Sequence, residues 1–96
     1  MGRVIWKYQI EINDVVSIRM PQRAKILTVQ TQYGHPCIWA LVDPQMPDAV
    51  RLIQIAGTGH DLSKRSLGEY IGAFQIEDGQ LVFHAFDAGE LKQPKQ

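Results

Sequence analysis

The stretch Val4-Ile5-Trp6-Lys7-Tyr8-Gln9-Ile10-Glu11-Ile12 decides what kind of fold this chain adopts. Its even positions, Val4, Trp6, Tyr8, Ile10 and Ile12, are apolar, and Lys7, Gln9 and Glu11 between them are polar. A period of two sends successive side chains to opposite faces of an extended chain, so the pattern predicts a half-buried β-strand.

Working outward, Asn13-Asp14 supplies turn chemistry, and Val16, Ile18 and Met20 alternate with Ser17 and Arg19 up to Pro21, so a second strand is expected to fold back on the first as a hairpin. Ala24 to Tyr33 reads as a third strand, turned by Gly34-His35-Pro36. Cys37 to Val42 is apolar on both faces, as a strand in the middle of a covered sheet would be. Asp43 to Asp48 holds two prolines and is a loop. Arg51 to Ala56, Tyr70 to Ile76 and Leu81 to Phe86 complete the set, the last two joined by a tight hairpin at Glu77-Asp78-Gly79-Gln80.

Seven short strands at close spacing predict an all-β fold, a single compact antiparallel sandwich or barrel. Only Asp61 to Leu67 offers room for one helical turn, with Asp61 as its cap. The β domain is expected to span residues 1–88, with residues 89–96 a polar, frayed tail.

Ten basic residues balance ten acidic ones, so no overall field draws the chain to nucleic acid or to an anionic membrane. Any anion site must be local. The single cysteine, Cys37, excludes an internal disulfide framework and makes a reducing cytoplasm the expected location. The start of the chain lacks the apolar core of a signal peptide, and no apolar run is long enough to span a bilayer.

The segment Gly57-Thr58-Gly59-His60-Asp61-Leu62-Ser63-Lys64-Arg65 is where a ligand would be sought. Glycines at 57 and 59 permit the positive φ that lets successive backbone N–H groups converge on an anion, Thr58 and His60 add donors, and Lys64 and Arg65 add charge. Tyr33 and Tyr70 each adjoin a glycine-containing turn, where an aromatic face can stack on a base. The same glycines read, by a narrow margin more readily, as a bend between strands, with Lys64 and Arg65 a solvated surface. The segment is not a phosphate-binding P-loop, which needs Gly-Lys-Ser/Thr opening a helix.

No metal or other cofactor is expected. His35-Pro36-Cys37 lacks zinc-ligand spacing, and Cys37 opens an apolar run as a small core side chain does. Ser63, His60 and Asp61 crowd one loop and cannot line up as nucleophile, base and orienting acid. His84, alternate to Phe83 in the last strand, reads as an ordinary strand residue.

The strings Met20-Pro21-x-x-Ala24-Lys25-Ile26-Leu27-x-Val29-Gln30, Pro36-Cys37-x-Trp39-Ala40-Leu41-Val42-Asp43-Pro44, Gly57-Thr58-Gly59-His60, Tyr70-x-Gly72-x-Phe74-Gln75 and Leu81-Val82-Phe83-His84 resemble a family of small phage and prophage proteins of unknown function. The resemblance covers about residues 4 to 87. It brings no catalytic residues. It implies a non-enzymatic binding protein that counters host defence, either by sequestering an anionic, nucleotide-like small molecule or by masking a host defence protein. A thin β domain favours ligand sites between subunits, so a homo-oligomer is expected. The alternatives are a structural role in the virion or its assembly, and a small phosphodiesterase using the histidines.

Overall fold

Among the described residues, seven strands form where the sequence pattern places them. They are β1 (Val4–Gln9), β2 (Val15–Pro21), β3 (Lys25–Gln32), β4 (His35–Val42), β5 (Asp48–Gly57), β6 (Glu69–Ile76) and β7 (Leu81–Glu90). They come from a computed structural model, which describes residues 2–91. The fold is all-β. Among the described residues there is no helix, so none that is long and apolar enough to cross a membrane. Asp61 to Leu67, the stretch with room for at most one helical turn, makes turns, Arg65 N donating to Leu62 O at 3.0 Å.

The strands sort into two antiparallel sheets, β1-β4-β3 and β2-β5-β7-β6. This corrects the expected β1–β2 hairpin. β1 pairs with β4, Trp6 opposite Ala40, and β2 pairs with β5, Ile18 opposite Arg51. Asn13-Asp14 does reverse the chain, but the reversal changes sheets. Ile10 N still bonds Pro36 O in the first sheet at 3.0 Å, whereas Asp14 O already accepts from Ile55 N in the second at 2.9 Å.

Two hairpins form where the sequence has turn residues, the first one residue earlier than expected. β3 and β4 close Gln32 onto His35 around Tyr33-Gly34, both with positive φ (51° and 81°), the two-residue turn whose twist suits antiparallel strands. The reversal therefore lies at Tyr33-Gly34, and His35 and Pro36 already belong to β4. β6 and β7 close Ile76 onto Leu81 around residues 77–80, with Gly79 at φ 86°.

β4 is the middle of its sheet, as its two-faced apolarity predicts, and its inward Ile38, Ala40 and Val42 are fully buried. They meet Val29 of β3 and the inward residues of the facing sheet, Ile18, Met20, Ile53, Ile55, Phe74 and Ala85, in one core cluster. The sheets join at β3 and β6, where Thr31 Oγ1 donates to Gln75 O at 2.6 Å. They part at the opposite side, leaving a gap of about 660 Å³ between β1 and β2. Tyr8 reaches into this gap. Burial, with the nearby Asp48 charge as a second cause, pushes its phenol above the usual tyrosine range.

One buried cation ties the sheets together. Arg51 of β5, 9% exposed, donates from Nε and Nη2 to the two carboxylate oxygens of Asp87 in β7 at 3.0 and 3.1 Å. Nη2 also donates to Ala24 O at 2.7 Å, where the chain enters β3 of the other sheet. Glu90 lies 3.7 Å from Nη1 and accepts from the Arg23 backbone N–H. Asp87 Oδ1 in turn accepts from Gly89 N at 2.9 Å. These contacts hold the end of β7 in place through Glu90, so residues 89–90 belong to the sheet and not to a tail. Leu91 N still bonds Val50 O at 2.8 Å. The rest of the expected tail, residues 92–96, lies outside the described residues.

β5 and β6 both run antiparallel to β7, so they are parallel to each other, and residues 58–68 must carry the chain back along the sheet. This segment is a strap over the sheet's outer face. Arg65 pins it, Nη2 donating to Asp14 O at 2.9 Å and to Gln54 Oε1 at 2.5 Å. Gly68, at φ 99°, passes so close to β7 that a Cβ there would collide with the Asp87 carbonyl oxygen and stand 2.9 Å from Ala88 Cα.

Two stability predictions follow from these contacts. Arg51→Met leaves Asp87 buried and uncompensated and is expected to cost about 3 to 5 kcal/mol in urea unfolding, whereas Arg51→Met with Asp87→Leu recovers most of that loss. A double variant no more stable than the single one would contradict the role given to the pair. Gly68→Ala combines left-handed strain of about 1 to 3 kcal/mol with overpacking of similar size, while Gly59→Ala, at φ 88° in open space, carries the strain alone. Calorimetric melting should rank Gly68→Ala well below Gly59→Ala.

Candidate functional site

His84 sits in β7 between the inward Phe83 and Ala85, so its ring emerges on the outer face. Its cross-strand neighbours are Ala56 of β5 and Ala73 of β6, small residues that leave the ring room to lie across the sheet. A register shift in β6 between Tyr70 and Gly72 sets Tyr70 opposite Phe86, and the two rings meet edge to face at 5.2 Å. The Tyr70 ring also tilts against His84 at 5.9 Å.

These placements join three side chains from three elements. Tyr70 Oη lies 2.8 Å from His84 Nδ1, and His84 Nε2 lies 2.8 Å from Thr58 Oγ1 at the start of the strap. The Thr58 hydroxyl donates to Val82 O at 3.3 Å. Its lone pair then accepts from His84 Nε2–H, and the bare Nδ1 accepts the Tyr70 proton, so the three side chains form one directional chain of hydrogen bonds. The tautomer is assigned from this network.

Beside the chain of hydrogen bonds lies a cleft of about 620 Å³ lined by Gly57, Thr58, His60 and the first residues of β7 with Gln80. The His60 ring stands directly over Gly57. A Cβ at Gly57 would come within 2.8 Å of His60 Cε1, so the glycine is there to admit the ring. Phe83, on the far side, stacks on the buried Phe74 at 5.7 Å. Mostly apolar walls with a few convergent polar groups are the usual character of a small-molecule site.

The structure distributes the residues singled out from the sequence unevenly. Gly57, Thr58 and His60 line the cleft, Gly59 makes its turn, and Tyr70 is joined to it through His84. Lys64 is exposed on the strap and makes no ion pair among the described residues. Arg65 turns the other way, onto Asp14 and Gln54, and serves as an anchor of the strap. Tyr33 stands 94% exposed on the β3–β4 turn of the other sheet, and its neighbour Gly34 lines a separate cleft with the β6–β7 turn.

The cup of converging amides is also reduced. Thr58 N bonds Val82 O at 3.1 Å and His60 N bonds Gly57 O at 3.2 Å, so neither N–H is free for an anion. Asp61 Oδ1 accepts from Ser63 N at 3.0 Å, and that bond from the Ser63 backbone, then its side chain, holds the Asp61 carboxyl below its usual range. The polar work at the cleft falls to side chains. His84, the one that organises it, was not visible as a site residue from sequence. Alternation with Phe83 places it on the outer face, but its partners lie 26 and 14 residues away.

Neither a curated protein nor a solved structure matches the chain. A family profile matches it over residues 1–96, and the chain therefore belongs to the family described as a domain of unknown function, DUF7352.

Proposed function

We propose that this protein is a non-enzymatic binding protein whose cleft at the start of the strap takes a small, ring-bearing anion of the nucleotide kind. The observation that carries the reading is the cleft's make-up: His60 laid over Gly57, Thr58 braced by His84 and Tyr70, and an apolar wall from Leu81 to Phe83. The flat ring of the guest packs against His60 and the apolar wall, with Thr58 and Gln80 as polar contacts. Its negative group reaches toward Lys64, the cation of the strap that is not already engaged.

Binding is favoured over turnover by the proton positions. In the tautomer assigned from the hydrogen-bond network, the Thr58 hydroxyl gives its proton to Val82 O and His84 Nε2–H donates to Thr58 Oγ1, an arrangement that does not set the pair as nucleophile and base. The phage-like strings give the reading its setting, in which such a protein removes a nucleotide-derived signal of host defence from solution.

Calorimetry with a panel of cyclic and linear nucleotides tests this directly. Heat is expected with at least one of them, and Lys64→Ala is expected to weaken that binding roughly 10-fold or more, the worth of one charge-assisted hydrogen bond, without lowering the melting temperature. Arg65→Ala should do the reverse, loosening the strap with a clear drop in melting temperature. No heat from any nucleotide with folded protein would remove the proposal.

A further inference from the structure

The edge of β1, which pairs with β4 alone among the described residues, is built differently from an edge that has only to stay in water. Val4, Ile5 and Trp6 are 42%, 58% and 42% exposed, on both faces of a strand with no proline. Natural edges are guarded by devices such as charged side chains, lysine above all, proline or a bulge. The only lysine here, Lys7, is drawn away, its Nζ donating to Gln32 Oε1 of β3 at 2.6 Å across the outer face of β4. Tyr8, on the same face as Val4 and Trp6, borders the gap between the sheets. An unguarded apolar edge beside a gap calls for another strand.

The backbone says how one would attach. Ile10 N bonds Pro36 O, and hydrogen-bonded pairs alternate along an antiparallel ladder, so the even residues of β1 turn their N–H and C=O groups toward β4. Ile5, Lys7 and Gln9 therefore present theirs outward. If the added strand is β1 of a second copy, a two-fold axis normal to the sheet keeps each residue on its own face, so the axis must pass between a residue and its own symmetry mate.

Three such registers overlap usefully along Val4–Gln9. Centred on Ile5, the pairing sets Arg3 against Lys7 of the other copy; centred on Lys7, it sets two lysines face to face. Centred on Trp6, it has no like charges opposite each other. Ile5 and Lys7 then exchange backbone hydrogen bonds across the axis, and Arg3 meets Gln9. Trp6 meets Trp6 and Val4 meets Tyr8, the tryptophans at a non-hydrogen-bonded position, where opposed side chains come closest. Charge, hydrogen-bond direction and apolar matching select the same register.

We infer that two copies of this chain pair antiparallel through β1, with the two-fold at Trp6, joining the two three-stranded sheets into one of six strands. This dimer does not depend on the ligand cleft, which is built on the other sheet.

Sedimentation or light scattering at about 100 μM, suited to the weak end of interface sizes, should give twice the 10.9 kDa of the chain. Register is read by cysteine substitution under mild oxidation. Trp6→Cys should give a reducible dimer on a gel, whereas Ile5→Cys and Lys7→Cys singly should not, and the two together should. The buried Cys37, common to all variants, sets the background. Ile5→Pro deletes one outward N–H and should return the mass to that of the monomer with the circular dichroism of the native fold. A monomeric wild-type protein at that concentration overturns the inference. So does cross-linking through Ile5→Cys in place of Trp6→Cys.

Discussion

The buried guanidinium of Arg51 is the constraint on which the rest of the structure depends. It holds the ladder between β5 and β7 by its bidentate grip on Asp87, and it holds the two sheets together by its bond to Ala24 O. A charge taken out of water is tolerated only when its partners are supplied by the fold, and here they come from two segments far apart in the chain, the end of β7 and the entry to β3. β5 can occupy the middle of its sheet with a cation in it only because β7 continues past Phe86 to deliver Asp87 and Glu90. The bulge between Leu52 and Ile53 and the left-handed Gly89 belong to the same arrangement.

The strap follows from the strand order. Because β5 and β6 lie parallel on either side of β7, the connection between them must run back over a face of the sheet. The outer face is the one available, since the inner one is core. That path brings Thr58 beside His84, sets Arg65 on Gln54 and drives Gly68 against the backbone of β7. The candidate site is thus a by-product of a crossing. Its polar chain and its cleft both lie where the strap leaves β5.

Much of this architecture could be read from the residues. Alternation and apolar runs located the seven strands, two-faced apolarity made β4 central, and Asp78-Gly79 marked a real hairpin, while the turn read at Gly34-His35-Pro36 lies one residue earlier, at Tyr33-Gly34. The hairpin expected at Asn13-Asp14 shows the limit. Turn residues report that the chain reverses, and nothing local reports which strand it then lies beside. Gly89 misled in the same way. In a polar stretch it looked like fraying, whereas its amide bonds Asp87 and its strand pairs with β5. Of the site, Gly57, Thr58, His60 and Tyr70 were legible because glycine and aromatic residues are conspicuous near turns. Arg65 and Tyr33 carried the same chemistry and were placed elsewhere.

The sequence by itself determined the class of fold, through a period of two that suits only strands, and it determined the neutrality that makes any anion site local. What only the tertiary structure decided is which strands are neighbours and therefore which side chains meet. Tyr70, His84 and Thr58 become a hydrogen-bonded unit, and Arg51 becomes a neutralised core residue, through contacts between segments far apart in the chain. Pairing of that kind is settled by the total burial of two sheets, a sum over the whole molecule to which no single stretch of residues holds the answer.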